Sequence, residues 1–389
     1  MKWEKVKLGD VCIKIGSGAT PKGGSTVYIE KGTAFIRSQN VYNLYFDFSG
    51  LVFINEEAAK KLNGVTIEKN DILLNITGDS VARTCLAPEE LLPARVNQHV
   101  AIVRPDKNIL NPIFLNYYLA SPNMQSRMLG LAVGKGASRN AMTKEMIASF
   151  KVPCPSLDIQ NKIVNILKPY DDLIENNQNQ IKLLEEAAQR LYKEWFVDFH
   201  FPGYEDTKFI DGIPNGWRKH KIDDVFKIKY GKTLSTSKIN KTGKYPVYGA
   251  NGVIGFYNEK NCSDCVVLIT SRGNGSGDIS RTYDKESFVT NNSFIVNPFN
   301  KSYRLSYVHQ LIKTINFKNI CTGSAQPQLT NNSISMLSVM VASDELVGRF
   351  CDVGNFLYEK IDNILKQNIL LTQARDRLLP KLMSGEIEV

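Results

Sequence analysis

The chain contains the same sequence pattern twice. Residues 3–11 and 217–225 share the pattern W-x3-K-[LI]-x-D-V at a spacing of 214. Further along, matching residues are 187 positions apart, and that spacing holds without a gap from Gly136 to Leu191 of the first copy. A spacing kept over such a length indicates an internal duplication. The first repeat is about 27 residues longer than the second between its Trp and its Gly.

The interiors of the two repeats diverge, but their outline is the same. Residues 71–78 and 266–273 are each an apolar run that leads into a Gly turn. Residues 97–105 and 291–298 each begin with polar residues, continue as a strand-like run and end in Pro. Both patterns are typical of β-strands. Each repeat is therefore predicted to be a strand-rich, loop-rich globular block, and constant frames around variable interiors suggest one scaffold used twice to read two different things.

A long helix is predicted after each block. Residues at its seam alternate four and three positions apart, as in a coiled coil. About forty residues at 1.5 Å each give a rod of roughly 60 Å. A kink is expected at Pro169, near the start of the first helix, and Pro380 followed by Gly385 is expected to end the second. The predicted helix-pairing residues are Ile163, Leu167, Ile174, Asn177, Ile181, Leu184, Leu191, Trp195, Phe350, Leu357, Ile361, Ile364, Asn368, Leu371, Leu378 and Leu382.

The duplication also predicts the direction in which the two helices pair. Two similar halves that pack through the same helix face are most simply related by a pseudo-twofold axis, which makes the helices antiparallel. Setting Asn177 opposite Asn368 places Trp195 opposite Phe350, and both stripes then begin and end together. A polar pair among apolar layers penalises slipped registers.

The composition is that of a chain that buries a core, with 43% hydrophobic and 22% charged residues among 389. No run approaches eighteen apolar residues and no apolar leader is visible, so we expect neither a membrane span nor secretion. Seven scattered cysteines favour a reducing cytoplasm over a disulfide framework. The net charge of +9 divides into +6 for residues 1–155, −3 for 156–200, +8 for 201–343 and −2 for 344–389. The positive field is therefore confined to two blocks.

Patterns that would support catalysis or metal binding are weak. None of the four histidines has metal-ligand spacing to another His or Cys, and residues 262–265 form a lone C-x-x-C pair. Two Gly-rich stretches, residues 16–18 and 273–277, lack the Lys-Ser/Thr of a phosphate loop and are interpreted as turns. Asn111 before Pro112 is interpreted as a helix N-cap, because the second Pro of the Asn-Pro-Pro-Tyr/Phe loop of adenine N6-methyltransferases is missing.

Loops in both basic blocks carry the residue types that read bases. Arg and Lys read guanine, and Asn and Gln read adenine, when a loop or strand brings them into the major groove. Further lysines suit phosphates. Each such residue alone is more often a solvated surface residue, but as a set on two basic blocks they favour DNA binding. The predicted DNA-binding residues are Lys22, Arg37, Gln39, Asn40, Lys135, Arg139, Lys232, Lys244, Arg272, Asn274, Gln326 and Gln328.

Five further motifs, added to the duplicated opening pattern, carry a resemblance to a known family. Residues 213–217 read Ile-Pro-Asn-Gly-Trp, residues 245–252 read Tyr-Pro-Val-Tyr-Gly-Ala-Asn-Gly, and residues 97–99 read Asn-Gln-His. Residues 195–199 read Trp-Phe-Val-Asp-Phe, and residues 381–387 read Lys-Leu-Met-Ser-Gly-Glu-Ile. With these motifs in their order along the chain, the sequence resembles, nearly end to end, the specificity subunit of a type I restriction-modification enzyme. Asp-Ile-Gln at residues 158–160 departs from the Glu-Gln more often found there, which bears only on capping of the helix start.

The resemblance implies an α+β fold. It would consist of two globular mixed α/β target recognition domains, separated by two long antiparallel coiled-coil helices, with an internal pseudo-twofold duplication. The recognition domains would be residues 1–155 and, with a leading linker, 201–343. The helices that space them would be residues 156–200 and 344–389.

The resemblance also implies a prokaryotic, cytoplasmic subunit without catalytic residues, cofactor or metal of its own. It would be the DNA-recognition part of a multi-subunit type I site-specific endonuclease and adenine methyltransferase. Its partners would be double-stranded DNA with a bipartite target, two methyltransferase subunits and motor-nuclease subunits. S-adenosylmethionine, ATP and magnesium would bind to those partner subunits.

Two other classes of protein remain as alternatives. A self-contained DNA methyltransferase or nuclease would be active as the purified chain with S-adenosylmethionine or a metal. A non-catalytic RNA-binding or scaffold protein would not bind duplex DNA in a sequence-dependent manner.

Overall fold

The computed structural model describes residues 3–133, 141–323 and 327–389. It divides into two compact units. Unit 1 comprises Met1–Asn176 and Asn368–Val389, and unit 2 comprises Asn177–Gln367. Each unit contains one repeat together with a part of both long helices.

Unit 1 combines short strands with helices. In chain order its elements are β1 (Lys5–Lys7), β2 (Cys12–Ser17), β3 (Tyr28–Ile29), β4 (Thr33–Ile36), β5 (Val41–Tyr42), β6 (Tyr45–Phe46), β7 (Val52–Ile54), α1 (Glu56–Lys61), β8 (Thr66–Ile67), β9 (Ile72–Asn75), β10 (Thr84–Leu86), β11 (Ala94–Val96), β12 (Val100–Pro105), α2 (Pro112–Ala120), α3 (Pro122–Ala132), α4 (Lys144–Ala148), β13 (Lys151–Pro153) and α5 (Leu157–Phe196), the last half of which belongs to unit 2.

A four-stranded antiparallel sheet, in the order β10-β9-β12-β2, forms the centre of unit 1. Its inner strands are buried on both faces: Ile72 and Leu74 pack into one core cluster and Leu73 into another. This alternation is the period-2 geometry of a strand, and it explains why β9 reads as a continuous apolar run. A second sheet has the order β3-β7-β4-β11-β8, in which β4 and β11 are parallel.

Unit 2 continues with β14 (Phe209–Ile210), β15 (Ile213–Pro214), β16 (Arg218–Lys221), α6 (Ile222–Val225), β17 (Phe226–Tyr230), β18 (Tyr245–Gly249), β19 (Gly252–Tyr257), β20 (Val267–Thr270), β21 (Ile279–Arg281), β22 (Phe288–Val289), β23 (Ser293–Pro298), α7 (Leu305–Lys313), α8 (Asn331–Ser335), β24 (Ser338–Val341) and α9 (Asp344–Ser384), which ends in unit 1.

The sheets of unit 2 repeat those of unit 1. The antiparallel sheet β21-β20-β23-β17 corresponds strand for strand to β10-β9-β12-β2. The parallel pair β18 and β22 corresponds to β4 and β11, and the pair β16–β24 to β1–β13. The duplication predicted from the two spacings is therefore present in the fold, and the predicted α+β class is confirmed.

The long helices are antiparallel where they contact each other within a unit. In unit 1 the guanidinium of Arg375 donates to the carboxylate of Asp171 at 2.5 Å. In unit 2 the ring centroids of Trp195 and Phe350 are 6.0 Å apart, so these two residues contact each other as the predicted register requires. A residue early in α5 thus meets one late in α9, and a residue late in α5 meets one early in α9.

All of the predicted helix-pairing residues are buried or half-buried. In unit 1, Ile163 and Leu167 share a core cluster with Leu382. Asn177 and Asn368 belong to different units, and their pairing stays a prediction.

Both prolines lie inside continuous helices, and the second helix ends directly before Gly385, as predicted. Residues Leu157–Phe196 form one helix that contains Pro169, and α9 runs through Pro380 to Ser384. Leu379, Leu382 and Met383 of that last turn are buried in the core of unit 1. Their burial offsets the single backbone hydrogen bond that a proline removes. Gly385, with φ of 73°, follows the helix end in the left-handed conformation that glycine adopts readily.

Two smaller predictions are confirmed. The side chain of Asn111 caps α2 by accepting hydrogen bonds from the backbone amides of Ile113 (2.8 Å) and Phe114 (3.2 Å). Of the two Gly-rich stretches interpreted as turns, residues 273–277 form the turn between β20 and β21, whereas Gly16 and Ser17 of the other are the last residues of strand β2. A hydrogen bond also connects the start of α5 to the start of α2. The buried side chain of Gln160 accepts from the backbone amide of Asn111 at 2.7 Å.

Within the described ranges, no helix combines the length and the apolar character needed to cross a membrane.

Candidate nucleic-acid interface

The loops that connect the central strands of unit 2 meet at one end of its sheet. The register pairs Tyr230 of β17 with Phe294 of β23, and Thr270 of β20 with Ser293 of β23. β17 and β20 therefore end where β23 begins, and β21 begins there as well. We call this edge, with residues 231–232, 250–251, 271–278, 290–292 and 328, the loop end of unit 2.

Backbone contacts bring four of the predicted DNA-binding residues to this loop end. The amide of Lys232 donates to the carbonyl of Val289 at 3.0 Å. Arg272 and Gln328 face each other in an antiparallel bridge, and Asn274 lies in the adjoining Gly-rich turn. Lys232, Arg272 and Asn274 are exposed and Gln328 is half-buried. The side chains that could read or grip DNA are thus grouped although their sequence positions span almost a hundred residues.

Glycine allows this grouping by a close approach of two backbones. A Cβ at Gly231 would lie 2.3 Å from the carbonyl oxygen of Thr290, and one at Gly18 would lie 2.2 Å from that of Val96. Neither distance can be occupied, so only glycine brings the end of β17 or of β2 against the loop before the next strand. This close contact between a glycine and a backbone carbonyl occurs at the equivalent position in both units.

The loop end of unit 1 is constructed in the same way. β4 and β11 are parallel and end together, so Arg37 follows β4 beside Asn97, whose backbone amide donates to the carbonyl of Ile36 at 3.0 Å. The hydroxyl of Thr77, which follows β9, lies 2.6 Å from Nδ1 of His99. We define the loop end of unit 1 as residues 18–20, 37–39, 76–80 and 97–99.

Arg37 is held in a fixed position at this loop end. Its Nη2 donates to the carbonyl of Gly50 at 2.6 Å, and its guanidinium carbon lies 5.7 Å from the ring centroid of Tyr28. Gln39 is exposed. It lies next to the same glycine as Arg37, because a Cβ at Gly50 would lie 2.9 Å from Gln39 Nε2. A guanidinium that is already oriented loses less side-chain entropy when it binds.

Asn40 is a correction to the predicted set. It is completely buried, and its Oδ1 accepts from the backbone amide of Arg37 at 3.1 Å. Its Nδ2 donates to the carbonyls of Asp47 (2.8 Å) and Ser49 (3.1 Å). Asn40 therefore shapes the loop that carries Arg37 and Gln39 and does not itself face DNA.

Two predicted lysines lie elsewhere. Lys244 immediately precedes β18, at the opposite end of that strand from residues 250–251, and its Nζ lies 5.0 Å from the ring centroid of Tyr245. A hydrogen bond to Tyr245 raises the pKa of Lys244. Lys22 is exposed in a turn just after the loop end of unit 1. Three further predictions fall outside the described residues: Lys135, Arg139 and Gln326.

The structure adds polar residues that the sequence analysis did not select. Asn251, Asn291 and Asn292 lie at the loop end of unit 2, and Gln98 and His99 at that of unit 1. The backbone carbonyl of Asn292, for example, accepts from the amide of Ser271 at 2.8 Å. Gln98, His99, Asn291 and Asn292 belong to the polar openings of two strands, a pattern that by itself indicates a strand boundary and not a binding site.

No group of three or more His, Cys, Asp or Glu side chains in the described part of the chain could hold a metal ion. Cys262 and Cys265 are free thiols, and burial raises the pKa of both.

Comparisons with known proteins match both repeats of the chain. The family model described as type I restriction modification DNA specificity domain matches residues 1–186 and 214–345, one match in each repeat. The specificity subunit of the type I restriction enzyme MjaIX from Methanocaldococcus jannaschii is 24% identical over 414 residues, covering 100% of this chain and 94% of the relative. The HindI specificity subunit from Haemophilus influenzae is 23% identical over 479 residues, covering 99% of both chains.

A solved structure shares the fold. The crystal structure of the S subunit of a type I restriction-modification system from M. genitalium is similar to this chain with a TM-score of 0.58 at 19% identity. The match covers 98% of this chain and 96% of that one.

Proposed function

Because this chain belongs to the type I restriction modification DNA specificity family, we propose that it is the sequence-specific DNA-recognition subunit of a type I restriction-modification complex and that it reads a bipartite target. Each loop end reads one half-site. The two half-sites differ because the loops differ, and they are separated by unspecific base pairs because two separate units read them.

The observation that carries this proposal is the pair of equivalent loop ends with unlike polar residues. Unit 2 presents Arg272, Asn274 and Lys232 at its loop end, and unit 1 presents Arg37 and Gln39 at its own, after strands that do not correspond in the two repeats. Arg pairs with guanine, and Asn or Gln with adenine, through two hydrogen bonds in the major groove. The globular blocks that carry these loops have net charges of +6 and +8, which favours contact with phosphates.

We further propose that two methyltransferase subunits dock on the long helices, and that motor-nuclease subunits join the complete enzyme. Leu183 of α5 and Leu370 of α9 are 64% and 65% exposed and stand 187 positions apart, at equivalent positions of the duplication. Ile166 and Val353 form a second such exposed pair. Paired apolar positions of this kind suit two copies of one partner. S-adenosylmethionine, ATP and magnesium then bind to the partner subunits.

The proposal is tested by exchanging one interior. Residues 218–322 are replaced by the equivalent stretch of a relative with a known target, and the bound sequences are selected from random duplexes. One half of the recognised sequence should change to that of the donor while the other half and its position stay the same. The reciprocal exchange in the first repeat is the matched control, and it should change the opposite half.

A change in both halves, or no sequence preference by either the parent or the hybrid, would contradict independent reading by two units. Equal binding to single-stranded RNA of the same sequences would favour the RNA-binding alternative instead.

A further inference from the structure

A hairpin with two exposed aliphatic side chains projects at the loop end of unit 2. It is formed by β18 and β19, which are joined by only Ala250 and Asn251. Val253 and Ile254 follow directly and are 50% and 49% exposed. The register pairs Val253 with Tyr248 and Gly255 with Val247, so Ile254 is the extra residue of a β-bulge. Both aliphatic side chains are therefore exposed to solvent just beyond the turn.

The hairpin tip is held against the loop end by hydrogen bonds. The hydroxyl of Thr270 donates to the carbonyl of Ala250 at 3.1 Å, and the backbone amide of Thr290 donates to the carbonyl of Tyr248 at 3.0 Å. Ile254 lies across Gly249, where an added Cβ would come within 3.0 Å of its Cγ2. The two aliphatic side chains are therefore carried on a fixed support.

Polar side chains suited to base edges surround the tip. Asn251 forms its turn, and the Asn251 Oδ1 atom would lie 3.7 Å from a Cβ at Gly275, in the turn that carries Asn274. Exposed Arg272 begins that same turn. The tip thus combines an apolar pair with donors and acceptors on one surface.

The same strand connection is the place where the two units differ most. In unit 2 two residues join β18 to β19, whereas in unit 1 fifteen residues, 37–51, join β4 to β7. The longer connection carries exposed Tyr42 and Tyr45 in place of aliphatic residues. The exposed aliphatic pair at the hairpin tip is therefore a feature of unit 2 that unit 1 does not share.

We propose that Val253 and Ile254 read thymine through its 5-methyl group in the major groove of the half-site bound by unit 2. A two-stranded β-ribbon fits the major groove, and the thymine methyl is the apolar group that base pairs present there. Arg272, Asn274 and Asn251 are placed to contact the polar edges of neighbouring base pairs. This inference rests on the proposed function, since it assigns part of the specificity to named residues.

The test replaces thymine by uracil, which removes only the methyl group. The full-length chain, assembled with its methyltransferase subunits, is titrated with duplexes that carry uracil at each thymine of the second half-site in turn. Val253→Ala and Ile254→Ala are compared with the parent. Ile210→Ala, an exposed aliphatic residue of the separate two-stranded sheet β14–β15, is the matched control. Thermal melting establishes that each variant is folded.

The parent and Ile210→Ala should lose about threefold to fivefold in affinity at one or two uracil positions, the effect of one buried methyl group. Val253→Ala or Ile254→Ala should bind the thymine duplex more weakly by a similar factor and lose nothing further with uracil.

A half-site made only of G·C pairs, or an unchanged affinity at every uracil position, would overturn the inference. So would a full uracil effect in both alanine variants, or alanine variants that weaken only methyltransferase binding. A different result would contradict the proposed function itself: a parent complex that shows no preference for any duplex sequence.

Discussion

Buried polar residues join the sheet of unit 2 to its long helix. The guanidinium carbon of Arg281 in β21 lies 4.6 Å from the ring centroid of Tyr283 and 4.7 Å from that of Tyr358 in α9. Its Nη2 donates to the carboxylate of Asp362 at 2.6 Å. A buried charge needs such a partner, and losing one partner of the pair is costly. The contact fixes the orientation of the helix against the block that carries the loop end.

His309 of α7 contacts the same helix. It is buried, and its Nδ1 lies 2.6 Å from the hydroxyl of Tyr358, to which Gln310 Nε2 also donates at 3.1 Å. Burial, with the positive charges of Lys313 and Arg281, lowers the pKa of His309 to about 3. His309 is therefore neutral in the folded chain at any pH near neutrality.

This lowered pKa predicts a loss of stability in mild acid. As the pH falls below the ordinary value of about 6.5, the unfolded chain binds a proton at residue 309 that the folded chain does not bind until about pH 3. The folded state should lose about 2 kcal/mol between pH 7 and pH 5 from this residue alone. In His309→Gln the same acidification should cost about 2 kcal/mol less, measured by native-state hydrogen exchange of α7. Identical pH dependence in parent and variant would refute the assignment.

Helices and strands whose position depends on the local spacing of apolar residues could be predicted from the sequence. The apolar run of β9 and the four-and-three spacing along α5 are both local patterns, and the strand and the helix lie where they were expected. The end of α9 before Gly385 was predicted, whereas the burial that keeps residues 381–384 helical after Pro380 is a tertiary contribution. Asn251 and Asn292 were missed because the register of distant strands, and not their neighbours in sequence, brings them to the loop end. Asn40 has the residue type of a DNA-contacting side chain, and only the folded structure shows that it is buried.

The exposed apolar positions of the long helices lead to a prediction about assembly. Leu183→Glu and Leu370→Glu should each weaken binding of the methyltransferase subunit by about tenfold or more, because burying a leucine contributes roughly 1.5–3 kcal/mol and a buried carboxylate costs energy. Affinity of the full chain for the isolated methyltransferase subunit is the measurement. Met336→Glu, at a residue that is 84% exposed and lies outside both long helices, is the control and should bind like the parent. Equal affinities in all four proteins would remove the helices from the proposed docking surface.

At the scale of the whole molecule, the duplication links the fold to the proposed function. Two units share the order of their sheets and the glycine contact that shapes each loop end, yet they present different side chains there. Under the proposed function, each repeat reads one short sequence, so the DNA target has two specified parts.

Sequencing the methylated bases of a host that expresses this chain together with its methyltransferase subunit tests this account most directly. We expect a new adenine-methylated motif made of two short, unlike specified sequences separated by a constant number of unspecified base pairs, and no such motif when the chain is omitted. A single uninterrupted motif, or the same methylation pattern with and without the chain, would contradict it.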